Sequence, residues 1–313
     1  MKIALCFIIN YNHILNKEDI WREWIECNKD IINVYFYYKD LSKITSEWIL
    51  KHVLPSQKIY DTSYYHVIPA YISLMQFAIE NDWENQWICF LTDSCCPIVS
   101  PKKFRHLFYT HWNRSIMSWK PAWWNIHLHR RGNLSLLPKE CHLANDPWFV
   151  LKRENVLEIL EFIRKNTELT NLICRGGLAN ETLFAVILYF TKQLNTPHIL
   201  NRVTHLADWS RMGSSTSPHC FTDGSKRDIQ FIEENLEKNE CAMFIRKVSP
   251  DFSDELIKKY VYEYNREKDE KLVIKKPFVF VVKEFYLFLL RFLYSVFHVA
   301  CKFFFWCALL FTV

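Results

Sequence analysis

The sequence predicts an α/β fold with a doubly wound sheet, because strand-like and helix-like segments alternate along the chain. Two strand-like segments, residues 3–9 and 86–91, are continuous apolar runs of the kind that is buried on both faces of a parallel sheet. Residues 17–28 are typical of a helix, with Trp21 and Trp24 at helical spacing. Sheets of this class bind ligands at the carboxyl ends of their strands.

The other elements follow the same alternation. We predict strands at residues 3–9, 33–38, 86–91, 148–151 and 242–246, and helices at 17–28, 69–80, 155–166, 181–192 and 225–238. Residues 104–140 are aromatic and irregular, and residues 251–275 are highly charged, which indicates an exposed helix and linker. From Pro277 the composition becomes aromatic and aliphatic. These shifts predict a globular domain over residues 1–250, a charged linker over 251–277 and a hydrophobic segment over 278–313.

Charge and cysteine usage exclude several classes of protein. The formal charge of +5 is spread thinly, and no block of basic residues indicates nucleic-acid binding. The eleven cysteines form no Cys-x-x-Cys pair and no Cys/His array, so a structural zinc site is not expected. Cys6, Cys89 and Cys174 lie among apolar residues, as buried thiols in a reducing compartment do. The N-terminal apolar run is too short for a signal peptide and is better explained as a strand.

The stretch Arg175–Phe184, RGGLANETLF, allows three interpretations of Glu181. Asn180 can cap a helix whose positive N-terminal dipole favours Glu181. Asn180-Glu181-Thr182 is also an N-glycosylation sequon. The third interpretation is a carboxylate beside a glycine loop that projects into a cleft and acts as a general base.

Five segments, taken in order, decide between these interpretations. They are Phe90–Ile98 (FLTDSCCPI), Asn145–Arg153 (NDPWFVLKR), Asn180-Glu181, Asp208-Trp209-Ser210 and Met243–Lys247 (MFIRK). In this order and at these distances they resemble the core-2/I-branching N-acetylglucosaminyltransferase family (glycosyltransferase family 14), which also includes xylosyltransferases. The resemblance covers about residues 1–250.

The resemblance implies a GT-A type, Rossmann-like fold and inverting transfer of a sugar, most often N-acetylglucosamine, from a UDP-sugar to a glycan or glycoconjugate hydroxyl. Glu181 matches the acid of the family's Asp-Glu pair, which is the catalytic base. Asn180 stands where that pair has Asp, so one negative charge beside the base is missing and the base is slightly weaker.

The leaving diphosphate needs its charge neutralised in the transition state. No Asp-x-Asp motif that would hold a metal occurs in the sequence, and the family works without metal or other cofactor. Arg246 and Lys247 match its Arg-Lys pair and are assigned to the phosphates, the alternative being a solvated charged pair. Asp93 is assigned to the donor sugar. Lys39 and Asp40 lie where this fold holds the base and ribose, although Lys-Asp is also ordinary turn chemistry.

The acceptor is assigned to aromatic and acidic residues in the middle of the chain. Asp146 and Trp148 come from the second matching segment, and Trp148 either forms a wall of the acceptor site or packs in the core. Trp209, from Asp-Trp-Ser, either contacts ligand or shapes a loop. Four tryptophans between residues 112 and 124 fit an acceptor loop or a hydrophobic flap equally well.

Residues 278–313 indicate association with a membrane. A helix over residues 285–313 places Arg291, His298 and Lys302 on one face of an otherwise apolar surface. Such a helix either lies in the membrane interface or spans once, tilted; the remaining alternative is a soluble tail on the catalytic domain. We expect a cytosolic catalytic domain on a membrane surface, with the Golgi or ER lumen as the alternative. The competing functions are a non-catalytic nucleotide- or glycan-binding relative and a membrane scaffold.

Overall fold

The structure is a computed structural model that describes residues 1–214 and 217–278, together with residues 280–282, 285, 286, 289, 290, 293 and 294. Met1–Leu272 form one compact unit, and Val273–Val313 are assigned to a second. Most of the hydrophobic segment predicted over residues 278–313 lies outside the described residues. Among those that are described, no helix is both long and apolar enough to cross a bilayer.

The strands and helices alternate as the sequence predicts. The strands are β1 Lys2–Ile8, β2 Ile32–Tyr37, β3 Asn85–Thr92, β4 Cys96–Pro97, β5 Ser115–Ile116, β6 Trp119–Pro121, β7 Leu143–Asn145, β8 Val150–Lys152, β9 Ile199–Leu200, β10 His205–Ala207 and β11 Phe244–Arg246. The helices are α1 Glu18–Glu26, α2 Glu47–Leu50, α3 Ile68–Asn81, α4 Pro101–His111, α5 Arg153–Lys165, α6 Thr167–Cys174, α7 Leu183–Phe190, α8 Lys226–Lys238, α9 Asp254–Tyr262 and α10 Arg266–Glu270.

The central sheet is mixed rather than wholly parallel, with the strand order β2-β1-β3-β8-β5-β9. β1 pairs in parallel with both β2 and β3, so that Cys6 lies opposite Tyr35 on one side and Phe90 on the other. β8 runs antiparallel to β3 and β5. The parallel half and its helices make the fold Rossmann-like. β10, β11 and β4 form a separate small sheet, in which β10 and β11 are parallel.

Helix α1 shows why the predicted periodicity holds. Trp21 and Trp24 lie one turn apart, and both rings are fully buried. Each indole N–H donates a hydrogen bond to a backbone carbonyl: Trp21 donates to Cys95 (3.0 Å) and Trp24 to Val99 (2.9 Å). A buried indole therefore contributes its full apolar area without leaving a donor unpaired.

Three predicted elements need correction. Residues 101–111, which were expected to be partly irregular, form α4, because Ser100 caps the helix at the N–H of Lys103 and Pro101 occupies its first turn. The strand predicted at 148–151 begins only at Val150 and leaves Trp148 in the preceding loop. The charged stretch after residue 250 is not wholly exposed, since α9 buries Ile257, Tyr260 and Val261 along one face.

Candidate active site

The carboxyl ends of the three parallel strands open into a cavity of about 530 Å³, here called the first cavity. Tyr11 and Asn12 reach it from the loop after β1, Lys39 from the end of β2, and Asp93 from the end of β3. This is the edge at which sheets of this class bind ligands, because the loops that follow parallel strands converge there.

Arg246 and Lys247 reach the first cavity from the small sheet, where β11 ends. Both side chains are half-buried, unlike a solvated charged pair. Nη1 of Arg246 donates to the hydroxyl of Thr92 and to that of Ser94 (3.1 Å), and the guanidinium carbon lies 4.2 Å from the ring centroid of Trp148. These contacts fix the cation in one place. Burial, and then the charge of Arg246, lower the pKa of Lys247.

Asp93 is buried beside these cations, with 9% of its surface exposed. Burial raises the pKa of its carboxyl, although Arg246 and Lys247 act in the opposite direction. No cluster of three or more His, Cys, Asp or Glu side chains suited to a metal ion occurs within the described part of the chain.

The two residues predicted to bind base and ribose are separated by the structure. Lys39 lines the first cavity, where its ammonium lies 4.8 Å from the ring centroid of Tyr11 and 3.4 Å from Asp61. The carboxylate of Asp40 instead accepts hydrogen bonds from the N–H (3.0 Å) and hydroxyl (2.6 Å) of Ser42, capping a short 3₁₀ helix. Asp40 lines neither cavity of the site, so the ordinary turn chemistry that the sequence also allowed accounts for it.

A second cavity, of about 690 Å³, lies on the other side of Trp148. Trp123, Trp124, Trp148 and Trp209 all contribute to its lining, and aromatic faces of this kind are suited to sugar rings. Of the four tryptophans between residues 112 and 124, two therefore lie at the site. Asp146 also lines this cavity; burial raises the pKa of its carboxyl, while Ser118 and Lys120 act against the rise.

The two aromatic residues left open by the sequence both lie between the cavities. Trp148 is only 7% exposed yet lines both cavities, so it is a core residue and a wall of the site at once. Trp209 is 44% exposed and also lines both. The preceding Asp208 shapes the loop, since its carboxylate accepts from the N–H and hydroxyl of Ser210 and from Arg211.

Glu181 lines both cavities as well, which places its carboxylate where they meet. The side chain is 17% exposed, and Oε2 accepts a hydrogen bond of 2.9 Å from Nη1 of Arg131. Burial raises the pKa of Glu181, the ion pair with Arg131 opposes the rise, and Asp146 adds to it. The carboxylate is thus within reach of ligands in either cavity.

The glycines before Glu181 explain how it reaches this position. Gly132 donates its N–H to the carbonyl of Gly177 (3.0 Å), so two loops lie against each other. A Cβ on Gly176 would lie 2.3 Å from the backbone N of Asn133, and one on Gly132 would lie 2.2 Å from Oγ1 of Thr182. Only glycine permits this approach. The chain then forms the 3₁₀ turn Ala179–Glu181 that presents the carboxylate.

The helix-capping interpretation of this segment is wrong. The α-helix begins at Leu183 rather than at Glu181, and the residue that precedes it is Thr182. Asn180 is buried at 8% exposure: its side chain interacts with the Tyr71 hydroxyl, and its carbonyl accepts from Asn145 (2.9 Å). Oδ1 of Asn180 accepts no hydrogen bond from any residue that the structure describes.

Several residues that line the cavities were not predicted from the sequence. Tyr11 and Asn12 were missed although they follow β1, where the strand-end argument that selected Lys39 and Asp93 applies equally. Arg131 gave no local signal, because its partner Glu181 is 50 residues away along the chain. A contact of that kind depends on how the loops fold against each other.

Two cavities share the largely buried carboxylate of Glu181, and the first of them lies at the ligand-binding edge of a Rossmann-like sheet. This arrangement defines an α/β protein that can hold two ligands against a single acid. A family model described as Core-2/I-Branching enzyme matches residues 33–233, more than half of the chain. The chain belongs to this family, which implies a glycosyltransferase with a sugar donor and an acceptor. A comparison with curated proteins finds no match. The matched range contains Asp93, Trp148, Glu181 and Trp209 and ends before Arg246.

Proposed function

We propose that the protein is an inverting, metal-independent glycosyltransferase of the GT-A type. In this proposal it moves a sugar, N-acetylglucosamine before others, from a UDP-sugar to a hydroxyl of a glycan or glycoconjugate. The observation that carries the proposal is the position of Glu181 between a cavity that contains Arg246 and Lys247 and a second cavity lined by tryptophans.

The acceptor occupies the second cavity and presents one hydroxyl to Glu181. As that oxygen attacks the anomeric carbon, its proton passes to the carboxylate, the new C–O bond forms and the bond to the diphosphate oxygen breaks. Attack from the face opposite the leaving group inverts the configuration at the anomeric carbon. Burial favours this role, since a carboxyl whose pKa is raised is a stronger base when ionised.

The donor occupies the first cavity with its diphosphate at Arg246 and Lys247. The negative charge that develops on the leaving UDP falls on these two cations, of which Arg246 is already fixed by Thr92, Ser94 and Trp148 and needs no reorganisation. A bound diphosphate also favours the charged form of Lys247 and so opposes the burial and the Arg246 charge that lower its pKa. Asp93 accepts hydrogen bonds from the donor sugar, and Lys39 contacts the nucleoside.

The experiment is a matrix of UDP-sugars and candidate acceptors, with products detected by mass spectrometry and their anomeric configuration read by NMR. UDP-N-acetylglucosamine is the expected donor and UDP-xylose the main alternative. An inverted product in the presence of chelator supports the proposal. A retained configuration, or turnover that requires an added divalent ion, contradicts it.

One observation favours a second candidate, a non-catalytic nucleotide- or glycan-binding relative. The carboxylate proposed as base is already in an ion pair with Arg131. The two candidates differ in a simple assay: a non-catalytic relative is stabilised by UDP in a thermal-shift panel but does not hydrolyse or transfer the donor sugar. A membrane scaffold whose globular domain has no catalytic or binding role would bind no nucleotide.

The proposed location is a membrane surface, with the catalytic domain in the cytosol and residues 278–313 as the attachment. Its support is the composition of that segment together with free cysteines: Cys6, Cys89, Cys95 and Cys96 are buried and unpaired in the structure. The lumen of the Golgi or ER is the alternative.

A further inference from the structure

Arg131 forms an ion pair with the proposed base, Glu181, and also contacts the ring of Trp124. We propose that Arg131 is a positioning residue that holds Oε2 of Glu181, turns Oε1 toward the acceptor hydroxyl and supplies the positive charge that favours the carboxylate form. The inference rests on the proposed function, in which Glu181 is the base.

The geometry of the pair supports this role. Nη1 of Arg131 lies 2.9 Å from Oε2, and both side chains are largely buried, at 18% and 17% exposure. The guanidinium carbon of Arg131 lies 4.9 Å from the ring centroid of Trp124, so the cation is held from a second direction. A half-buried, oriented ion pair is a stronger constraint than a solvated one.

The backbone also ties Arg131 to Glu181. Arg131 forms an isolated parallel bridge with Gly177, and the next residue, Gly132, donates its N–H to the carbonyl of Gly177. Gly177 lies four residues before Glu181. The loop that carries the arginine is therefore fastened to the loop that carries the carboxylate, and a shift of one moves the other.

The charges around Glu181 determine the sign of the effect. Arg131 is the cation that favours its ionised form, Asp146 is the neighbouring acid that disfavours it, and Tyr71 lies close enough to feel its charge. Removing Arg131 leaves burial and Asp146 unopposed, so the pKa of Glu181 rises further. The base is active when ionised, so its activity would then be lost at a higher pH as the solution is acidified.

The test compares Arg131→Met, which keeps the length of the side chain and removes the charge, with Arg131→Lys, which keeps the charge and loses the planar fork. Arg130→Met is the matched control, because Arg130 is the exposed neighbour. The carboxyl of Glu181 is followed directly by ¹³C NMR of protein labelled at glutamate, with Glu181→Gln to assign its resonance.

We expect the titration midpoint of Glu181 to rise by about one pH unit or more in Arg131→Met, to rise less in Arg131→Lys, and to stay in place in Arg130→Met. The acid limb of kcat is expected to move with it, and the rate of Arg131→Met to recover at high pH. An unchanged midpoint in Arg131→Met overturns the inference. A loss of rate with the acid limb of kcat left in place, which a merely structural or acceptor-binding role would cause, overturns it as well.

The NMR titration and the turnover assay together separate this inference from the proposed function. If the wild-type protein turns over no donor, the proposed function fails, and the NMR titration still decides whether Arg131 controls the ionisation of Glu181. If turnover occurs and the midpoint does not respond to Arg131→Met, the positioning role fails while the transferase function stands.

Discussion

Gly132→Ala tests whether the contact between the two glycine loops controls the site. Gly132 has a φ of +55°, and an added Cβ would lie 2.2 Å from Oγ1 of Thr182, whereas ordinary contacts begin at 3.4 Å. The difference, 3.4 − 2.2 = 1.2 Å, is the overlap with the Thr182 hydroxyl; because the Cβ and Cγ2 of Thr182 lie at 3.1 and 3.3 Å, rotation of that side chain alone does not remove the overlap, and the loops must also shift. Alanine in the left-handed region costs about 1–2 kcal/mol by itself.

A displacement of these loops changes the geometry of the ion pair between Arg131 and Glu181. A displacement of about 1 Å separates Arg131 from Glu181, and misplacement on that scale can lower turnover by about 10²-fold. We therefore expect Gly132→Ala to lower the free energy of unfolding by about 1–3 kcal/mol and to reduce kcat by about 10²-fold. UDP affinity should be kept, because Arg246 and Lys247 are positioned by other elements.

The assays are urea denaturation, turnover, and titration with UDP. Gly213→Ala is the matched control, since the nearest atom to its added Cβ is 3.8 Å away and its φ is not positive. Gly132→Ala with wild-type stability and turnover would refute the reasoning. A variant that loses UDP binding in proportion to its turnover would show that the effect is global unfolding and not a shift of the loops.

Four further predictions concern the neighbours of the site and the location of the protein. Asn180→Asp adds a carboxylate beside Glu181 in a buried position, so we expect the acid limb of kcat to move to higher pH; a limb that stays in place or moves to lower pH counts against this. Lys247→Ala should weaken UDP binding in a calorimetric titration while activity of the wild type survives excess EDTA; activity that is lost in EDTA and returns with manganese would contradict the proposal. Asn113-Arg114-Ser115 and Asn133-Leu134-Ser135 are further sequons, in which Asn113 is exposed and Asn133 half-buried, whereas Asn180 is buried. N-glycosidase treatment of protein from a eukaryotic host should cause no mobility shift if the domain is cytosolic, and a shift that Asn113→Gln or Asn133→Gln abolishes would place it in the lumen. In the same host, deletion of residues 278–313 should move the protein from the membrane fraction to the soluble one.

The parts of the fold that depend on local sequence were predictable. β1 and β3 each contain a continuous apolar run, residues 3–8 and 87–91, that is typical of a buried strand, and the spacing of Trp21 and Trp24 defines the buried face of α1. The antiparallel placement of β8 was not predictable, because a three-residue strand carries no periodicity from which its direction can be read. The same is true of the two-residue strands β4, β5 and β9.

The residues of the candidate site also divide into those that local sequence or motifs predict and those that depend on contacts between distant parts of the chain. Lys39 and Asp93 follow strands, where ligands are expected, and both line the first cavity; the resemblance to a family selected Glu181, which lines both cavities. Asp40 follows the same strand as Lys39, but its carboxylate accepts hydrogen bonds from the N–H and hydroxyl of Ser42 and caps a short 3₁₀ helix instead of lining a cavity. Arg131 could not be found, because its contact with Glu181 depends on two loops meeting through Gly132 and Gly177.

The most direct test of the central claim is the turnover of Glu181→Gln with the donor and acceptor that the substrate matrix identifies. Glutamine keeps the shape of the side chain and can accept from Arg131, but it cannot take the proton of the acceptor hydroxyl. Glu168→Gln, an exposed glutamate on α6, is the control. The account predicts UDP affinity close to wild type in both variants and a kcat about 10²–10⁴-fold lower in Glu181→Gln alone. Near wild-type turnover in Glu181→Gln would contradict it.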